Sequence, residues 1–276
     1  MEFELNEKYE TLKRHVSGYR NAMVAYSGGV DSVFLLKVAV DCLGSEAVLA
    51  CLGLSESVAH SEYQGAREVA DKIGAKMEIV SPNEMQNPNY LANPENRCFF
   101  CKTELYTVLA DVARERHFEV IFNGTNADDL GDYRPGLQAA DDFKVISPLA
   151  DANLTKSEIR TLSKELDLQT WDKPAQPCLS SRVVYGLSIT PKRLSQVERA
   201  EEFLREKGFK ELRVRHHDKL ARIEVPAEQL PDLIAEPIRS EINRTFKELG
   251  FTYVSLDLQG FRSGSCNEAL PPSTES

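Results

Sequence analysis

The feature that most constrains the fold is a glycine turn near the start of the chain, Ser27-Gly28-Gly29-Val30-Asp31-Ser32. An apolar run over residues 22–26 leads into this turn, and a helical pattern over residues 33–43 follows it at once. Glycines let the backbone approach a phosphate closely, and a helix N-terminus presents unpaired N–H groups with the favourable end of its dipole. The order strand, glycine turn, helix therefore predicts a phosphate-binding loop.

The turn is not a Walker A loop, because no Gly-Lys-Ser or Gly-Lys-Thr follows it. Asp31 and Ser32 stand where the helix begins, and their alternative role is that of an N-terminal cap and a first-turn charge. Two adjacent glycines followed by an aspartate and a serine favour phosphate binding over capping alone.

Strand and helix patterns alternate through the first part of the chain. Strands are predicted over residues 22–26, 47–54, 76–80 and 118–122, and helices over residues 5–19, 32–43, 61–73 and from the cysteine pair to about 117. This alternation is typical of an α/β fold in which helices cover both faces of a parallel sheet. Ligands bind beyond the carboxyl ends of such strands, where the turn with Gly124 and Asp128 is also expected.

The pattern changes near residue 170, where a loop with several prolines begins. The elements predicted beyond it are a helix over 191–207, a hairpin over 212–217 and 220–225, a helix over 237–249 and a strand over 252–258. They form a smaller α+β domain. We expect a first domain over residues 1–170, a second over 171–264 and a mobile tail over 265–276.

Composition narrows the classes of function. The 276 residues contain no apolar run that could span a bilayer and no signal-peptide pattern at the N-terminus, so we expect a cytoplasmic protein without a membrane partner. A formal net charge of −10 argues against a broadly basic surface, and we expect a small-molecule substrate and no nucleic acid. Without an export signal, six cysteines favour metal or redox chemistry over a disulfide framework.

Three cysteines stand apart from the rest. Cys98 and Cys101 form a C-x-x-C at the start of a helix, and Cys178 lies in the loop after the first domain. Two thiolates one helical turn apart can bind neighbouring coordination sites, and a third would leave one iron of a four-iron cluster open. A zinc site and a redox dithiol are the alternatives. Cys42 and Cys51 lie in apolar patterns typical of packing.

Positive charge is concentrated in the second domain. Arg213 and Arg215 are two residues apart on a predicted strand, so both side chains are expected on the same face. Leu212 and Val214 are then expected to face the core. With Arg182, these arginines suit a phosphate or a carboxylate, which guanidinium groups bind bidentately. The alternative is a solvated face on which the arginines pair with nearby glutamates.

Several segments together resemble the LarE family of ATP-dependent sulfur transferases. They are the glycine turn, Gly124-Thr125-Asn126-Ala127-Asp128, Asp132-Tyr133-Arg134-Pro135-Gly136, Cys178-Leu179-Ser180-Ser181-Arg182 and Gly260-Phe261-Arg262-Ser263-Gly264. The glycine turn alone marks the wider superfamily of PP-loop ATP pyrophosphatases, which cleave ATP to AMP and pyrophosphate. The segments around Cys178 and Arg213-Val214-Arg215 make the resemblance specific, and it covers nearly the whole chain.

The resemblance implies that ATP adenylates a carboxylate of pyridinium-3,5-biscarboxylic acid mononucleotide and that sulfur then replaces oxygen. The product is a precursor of the nickel-pincer nucleotide cofactor of lactate racemase, and the family tends to form homo-oligomers. The implied ATP and pyrophosphate ligands are Ser27, Gly28, Gly29, Asp31, Ser32, Gly124 and Asp128, with Mg²⁺ on Asp31. The implied ligands of the substrate phosphate or carboxylate are Ser181, Arg182, Arg213 and Arg215.

Members of this family differ in their source of sulfur. Some have only the cysteine that corresponds to Cys178, which gives up its own sulfur and becomes dehydroalanine. The additional Cys98 and Cys101 favour a 4Fe-4S cluster on all three cysteines, with Cys178 at the reacting centre. Its open iron would deliver a labile sulfide repeatedly.

Other functions stay open on the sequence. A tRNA-thiolating PP-loop enzyme also combines such a turn with clustered cysteines, but the acidic composition counts against it. An ammonia-dependent amide ligase such as an NAD synthetase shares the turn, but it has no use for three thiols. A sensor that binds AMP or a cluster is the non-enzymatic alternative.

Overall fold

The structure is a computed structural model that describes residues 2–131 and 135–262, together with Ser265 and Glu268. The chain forms two compact units. The first consists of Met1–Glu84 and Asn96–Gln176, and the second of Met85–Glu95 and Pro177–Ser276. Apart from Ser265 and Glu268, the expected tail over 265–276 lies outside the described residues.

The predicted strands and helices are confirmed to within a few residues at their ends. The strands are β1 (Ala22–Ala25), β2 (Val48–Gly53), β3 (Lys76–Val80), β4 (Val120–Phe122), β5 (Arg213–His217), β6 (Leu220–Glu224) and β7 (Tyr253–Leu256). The α-helices are α1 (Glu2–Ser17), α2 (Val30–Leu43), α3 (His60–Ile73), α4 (Pro88–Leu91), α5 (Arg97–Glu115), α6 (Pro135–Asp142), α7 (Pro148–Asp151), α8 (Lys156–Glu165), α9 (Pro191–Glu206), α10 (Leu230–Ile234) and α11 (Ile238–Glu248). The sequence patterns did not indicate α4, α6, α7 and α10, because such short helices carry too little periodicity. None of the helices described is long and apolar enough to cross a membrane.

A parallel sheet with the strand order β3-β2-β1-β4 forms the centre of the first unit. Ala22 of β1 lies opposite Val48 of β2 on one side and Val120 of β4 on the other. A parallel bridge between Phe122 and Ile146 extends the pairing beyond β4. The chain leaves β1 towards β2 and returns on the opposite side as β4, so the strand order reverses at β1. Such a switch point opens a crevice at the carboxyl ends of the strands.

Both faces of this sheet are buried. Val24 packs in the same apolar cluster as Phe34 of α2. Its neighbour Met23 packs in a second cluster, with Leu109 of α5. Successive side chains of a strand point to opposite faces, so each face is covered by helices. This arrangement confirms the predicted α/β fold and explains why β1, β2 and β4 have continuous apolar sequences.

The second unit contains a sheet with the strand order β5-β6-β7. β5 and β6 are antiparallel, and β6 and β7 are parallel. The hairpin turns at Asp218, whose φ of 58° lies in the left-handed region that aspartate tolerates better than most residues. Val214 of β5 and Phe246 of α11 belong to the apolar core of this unit. The predicted hairpin and the smaller α+β architecture are therefore confirmed.

The two arginines of strand β5 are buried. The sequence left a solvated face open as the alternative for Arg213 and Arg215, but each is only 6% exposed. The segment after Cys178 lies beside β5, and Val183 forms a bridge with His216. The alternative of a solvated arginine face is therefore wrong, and the prediction that Val214 faces the core is correct.

The segment over residues 85–95 is part of the second unit, although it precedes the part of the first unit's chain from residue 96 onwards. The side chain of Asn87 caps α4. Asn93 is fully buried with a φ of 53°. Its amide donates hydrogen bonds to three carbonyl oxygens, those of Val183 (3.2 Å), Val184 (2.8 Å) and Leu187 (3.0 Å). These contacts fix the segment to a part of the chain about ninety residues later.

Candidate active site

The glycine turn follows β1 and forms the start of α2. The helix begins at Val30 with Gly29 as its N-cap and no side-chain cap, so Asp31 and Ser32 lie in the first turn. The hydroxyl of Ser32 lies 3.0 Å from that of Ser27 and donates to the carbonyl oxygen of Gly29 at 3.1 Å. Neither side chain caps the helix, whereas Asp31 does supply the first-turn charge that the alternative described. The curled turn lies at a helix N-terminus, which favours an anion.

Two glycines permit close backbone approaches around this turn. Gly28 has a φ of +72°, and a Cβ there would lie 2.5 Å from the Cβ of Ala66 on α3. Gly124 follows β4, and a Cβ there would lie 3.0 Å from the backbone nitrogen of Ser32. A larger residue at either position would displace the turn. The sheet thus brings the turns after β1 and β4 together, at the edge where the sequence predicts a nucleotide.

Two lysines from later in the chain contact the same turn, and the sequence patterns did not single them out. Lys156 Nζ forms an ion pair with Oδ2 of Asp31. The backbone N–H of Lys156 donates to Oδ2 of Asp128 at 2.8 Å. Lys173 Nζ donates to the carbonyl oxygen of Gly28 at 3.2 Å and pairs with Glu62 at 2.7 Å. The sequence carries only a weak signal for the role of Lys156, which is that it is the first residue of a helix that opens with a capping box.

Cys178 lies in the second unit, immediately before a short 3₁₀ helix over Leu179–Arg182. Its side chain is exposed, and its Sγ lies 2.9 Å from the hydroxyl of Ser180, which is 1% exposed. The guanidinium of Arg182 donates to the carbonyl oxygen of Cys178 at 3.1 Å and to Oγ of Ser181 at 3.1 Å. An exposed thiol is therefore carried on a backbone segment that a buried cation fixes in place.

Each of two buried glutamates holds one of the predicted substrate arginines. Arg182 donates to Glu201 through Nε at 3.0 Å and through a terminal nitrogen at 3.3 Å. Arg215 donates to Glu224 in the same way, at 3.1 Å and 2.9 Å. The pairing of Arg215 with Glu224, 9 positions away, is of the kind that the sequence left open as the alternative, whereas Glu201, 19 positions from Arg182, was not considered. These fork-to-fork pairs fix the planes of both guanidinium groups.

Arg213 completes this buried group of charges. It donates to the carbonyl oxygen of Leu212 at 2.6 Å, and its guanidinium carbon lies 5.1 Å from the centroid of the Phe261 ring. Burial, and then the positive charges of Arg182 and Arg215, lower the pKa of Arg213 to about 10.

Among the described residues of the second unit, the buried Arg and Glu side chains comprise three arginines and two glutamates. This leaves one positive charge in excess. A group of that charge suits a phosphate or a carboxylate.

The cysteine pair belongs to the first unit. Cys98 and Cys101 lie in the first turn of α5, where Cys98 is exposed and Cys101 is half-buried. Two thiols at this spacing suit iron or zinc by their chemistry. Over the described ranges, no group of three or more His, Cys, Asp or Glu side chains is placed to hold a metal ion. The cluster on Cys98, Cys101 and Cys178 stays a prediction.

Cys51 and Cys42 are the two cysteines predicted to have a packing role. Cys51 is 1% exposed, and burial raises the pKa of its thiol to about 12, which agrees with a packing role. Cys42, which lies in α2, is half-buried against the apolar core of the first unit. Residues 132–134 and 263–264, which carry part of the family resemblance, lie outside the described residues.

Comparison with known proteins places the chain in a family. Residues 4–93 match the NAD synthase family. An uncharacterized protein from Synechocystis sp. is 47% identical over 96% of this chain and 99% of its own length. The pyridinium-3,5-bisthiocarboxylic acid mononucleotide synthase of Lactiplantibacillus plantarum is 35% identical over 96% of both chains. An uncharacterized protein from Methanocaldococcus jannaschii is 31% identical over 94% of both.

The match to the Lactiplantibacillus plantarum enzyme extends through both units, from the glycine turn to the segment with the buried arginines. By that identity over that length, the chain belongs to the LarE family, the family of pyridinium-3,5-bisthiocarboxylic acid mononucleotide synthase.

Proposed function

We propose that this chain is an ATP-dependent sulfur transferase that thiolates the carboxylates of pyridinium-3,5-biscarboxylic acid mononucleotide. The reaction would serve biosynthesis of the nickel-pincer nucleotide cofactor of lactate racemase. The observation that carries the proposal is the glycine turn, packed against α3 through Gly28 and against the turn after β4 through Gly124. The likeness to a relative named for a bisthiocarboxylic acid supports the choice of substrate.

The first step activates a carboxylate. A carboxylate oxygen of the substrate attacks the α-phosphorus of ATP, the bond to the β-phosphate oxygen breaks, and pyrophosphate leaves. The residues proposed to hold the nucleotide and the pyrophosphate are Ser27, Gly28, Gly29, Ser32, Gly124 and Asp128. Asp31 is proposed to hold Mg²⁺, because the ion takes carboxylate and phosphate oxygens and one oxygen of this carboxylate is buried without a hydrogen-bond partner among the described residues.

The second step inserts sulfur. A sulfide attacks the carbonyl carbon of the acyl adenylate, the carbon–oxygen bond to AMP breaks, and AMP leaves with the oxygen that the carboxylate contributed. A thiocarboxylate remains, and the same two steps on the other carboxylate give the bis-thio product. Activation is needed because an oxide is a poor leaving group and AMP is a good one.

The substrate phosphate or carboxylate is proposed to bind at Ser181, Arg182, Arg213 and Arg215. Arg182 and Arg215 are already held by glutamates, so they are proposed to act through their fixed charge. The excess positive charge of this group supports anion binding. Arginine suits both candidate groups, since phosphate and carboxylate match its planar fork.

The sulfur is proposed to come from a 4Fe-4S cluster held by Cys98, Cys101 and Cys178. When bound, such a cluster would supply an open iron that carries an exchangeable sulfide. The alternative is that Cys178 gives up its own sulfur, as an exposed thiol could. Anaerobic purification followed by iron, sulfide and absorbance analysis separates these ideas. A colourless protein that holds zinc after reconstitution would contradict the cluster.

The function is tested by measuring pyrophosphate release from ATP with different second substrates. We expect release with the dicarboxylated pyridinium mononucleotide, and none with tRNA or with an acid plus ammonia. Release with tRNA would favour a tRNA-thiolating enzyme, and release that requires ammonia would favour an amide ligase. No release with any acid would favour a sensor that binds AMP or a cluster.

A further inference from the structure

The two ammonium groups that contact the phosphate turn, those of Lys156 and Lys173, come from outside the turn. Lys156 Nζ pairs with Oδ2 of Asp31 across 125 residues of sequence. A Walker A loop carries its own lysine, which reaches the β- and γ-phosphates, but this turn contains none. The turn therefore offers N–H dipoles and no cation of its own.

The backbone of Lys156 is fixed while its side chain is accessible. Thr155 caps α8 by a capping box with Glu158, whose Oε2 accepts the N–H of Thr155 at 2.8 Å. Lys8 pairs with the other oxygen of Glu158 at 2.7 Å. The N–H of Lys156 is held by Asp128, yet its side chain is 36% exposed. The start of the helix is thus held by several hydrogen bonds, whereas the lysine side chain keeps part of its surface in solvent.

Asp31 retains unused capacity to accept. Its Oδ1 is buried and has no hydrogen-bond partner within the described residues, although Oδ2 is paired with the lysine. A divalent cation at this carboxylate would repel the ammonium group, since like charges a few ångströms apart in a partly buried site interact strongly. The phosphates that accompany the cation are the nearest compensating anion, because they bind at the same helix N-terminus.

We propose that Lys156 is an exchangeable counter-ion. It neutralises Asp31 when no nucleotide is bound, and it moves to the pyrophosphate part of ATP when Mg²⁺ takes the carboxylate. The proposal rests on the proposed ATP site. It assigns to Lys156 the direct contact with the two terminal phosphates, and it distinguishes this residue from Lys173, which is held by Glu62 and the carbonyl oxygen of Gly28.

The alternative is a static ion pair in which the lysine only offsets the charge of Asp31. In saturating Mg²⁺ the two ideas predict opposite results for Lys156→Met. A static partner competes with the metal, so its removal would leave the affinity for Mg·ATP unchanged or raise it. If instead the lysine moves to the phosphates, Lys156→Met loses that contact, and Mg·ATP binds more weakly.

The experiment compares the affinities of wild type, Lys156→Met, Lys156→Arg and Lys37→Met for ATP, pyrophosphate and AMP by isothermal titration in saturating Mg²⁺. We expect Lys156→Met to bind ATP and pyrophosphate about tenfold more weakly. We expect AMP to bind as before, because it lacks the two terminal phosphates. Lys156→Arg keeps the charge and should retain most of the affinity. Lys37 pairs with Asp41 on the same helix as the turn, so Lys37→Met is a matched control that should match wild type.

A second pair of variants tests the contact between Lys156 and the phosphates in the absence of the Asp31 carboxylate. Asp31→Asn and the double variant Asp31→Asn, Lys156→Met are titrated with ATP in EDTA, where neither the Asp31 carboxylate nor a metal is present. We expect the double variant to bind about tenfold more weakly than Asp31→Asn alone. Equal affinities in this pair, or unchanged binding of Mg·ATP by Lys156→Met, would overturn the counter-ion role while leaving the ATP site intact. A wild-type protein that binds no ATP in Mg²⁺ would overturn the ATP site itself, and this role with it.

Discussion

Gly28 packs directly against Ala66 of α3, so that a Cβ at position 28 would lie 2.5 Å from the Cβ of the alanine. We expect Gly28→Ala to push the glycine turn away from the helix and to weaken ATP binding on the order of tenfold or more, because the N–H groups lose their alignment. Titration calorimetry with ATP in Mg²⁺ measures this loss.

Gly74 provides the control for backbone strain alone. It has a φ of +78° at the end of α3, and a Cβ there would meet nothing within 4 Å. Gly74→Ala should cost about 1–2 kcal/mol of stability and leave ATP binding unchanged. Replacing Ala66 by glycine in the Gly28→Ala background makes room for the new Cβ and should restore part of the affinity. Wild-type binding by Gly28→Ala would contradict this account of the turn.

The ion pair between Arg182 and Glu201 should matter for stability far more than a surface pair does. The two side chains are 2% and 1% exposed. Glu201→Gln leaves the guanidinium buried without its counter-charge, and we expect a loss of about 3–5 kcal/mol in the free energy of unfolding by urea. Asp41→Asn breaks the exposed pair with Lys37 and should cost less than about 1 kcal/mol. Similar losses in the two variants would show that the buried pair has no special weight.

His216 should make the second unit sensitive to acid. Burial, and then the positive charge of Arg193, lower the pKa of His216 from 6.5 to about 4. Between pH 6.5 and about pH 4, His216 therefore binds a proton in the unfolded chain but not in the folded chain. Stability from this residue is present above pH 6.5 and is lost as the pH falls towards 4.

The corresponding variant is His216→Gln, which does not titrate. Urea unfolding at a series of pH values should show that wild type loses up to about 3 kcal/mol more than the variant on going from neutral to acidic solution. Parallel curves for the two proteins would contradict the assignment of this effect to His216.

The predicted cluster ligands can be separated from the packing cysteines. We expect Cys98→Ser, Cys101→Ser and Cys178→Ser each to lose most of the iron and labile sulfide that wild type binds after anaerobic reconstitution, because a thiolate ligand is removed. Cys42 is half-buried against the core, and Cys42→Ser should retain them. Iron content that is the same in all four variants would contradict a cluster on these three residues.

The architecture of the first unit could be predicted from the sequence because its signals are local. The apolar run before Gly28 and the helical pattern after Asp31 occupy neighbouring positions, and strand, turn and helix follow in that order. The pairing of β1 between β2 and β4 then brings Gly124 to Ser32.

The contacts that complete the site could not be predicted in this way, because they join distant positions. Lys156 reaches Asp31 across 125 residues, and Lys173 reaches Gly28 across 145. Nothing in the local pattern of either lysine differs from that of a solvated one. The burial of Arg213 was missed for a related reason, since a segment outside the hairpin lies beside β5.

The phosphate turn is proposed to activate a carboxylate for attack by sulfur. The most direct test uses the pyridinium dicarboxylate with both carboxylates labelled with the heavy isotope of oxygen, and mass spectrometry of the AMP and the thiocarboxylate formed. We expect one labelled oxygen in AMP for each sulfur inserted, because the carboxylate oxygen that attacks the α-phosphorus leaves as part of AMP. Formation of thiocarboxylate together with unlabelled AMP would contradict activation of the carboxylate by adenylation.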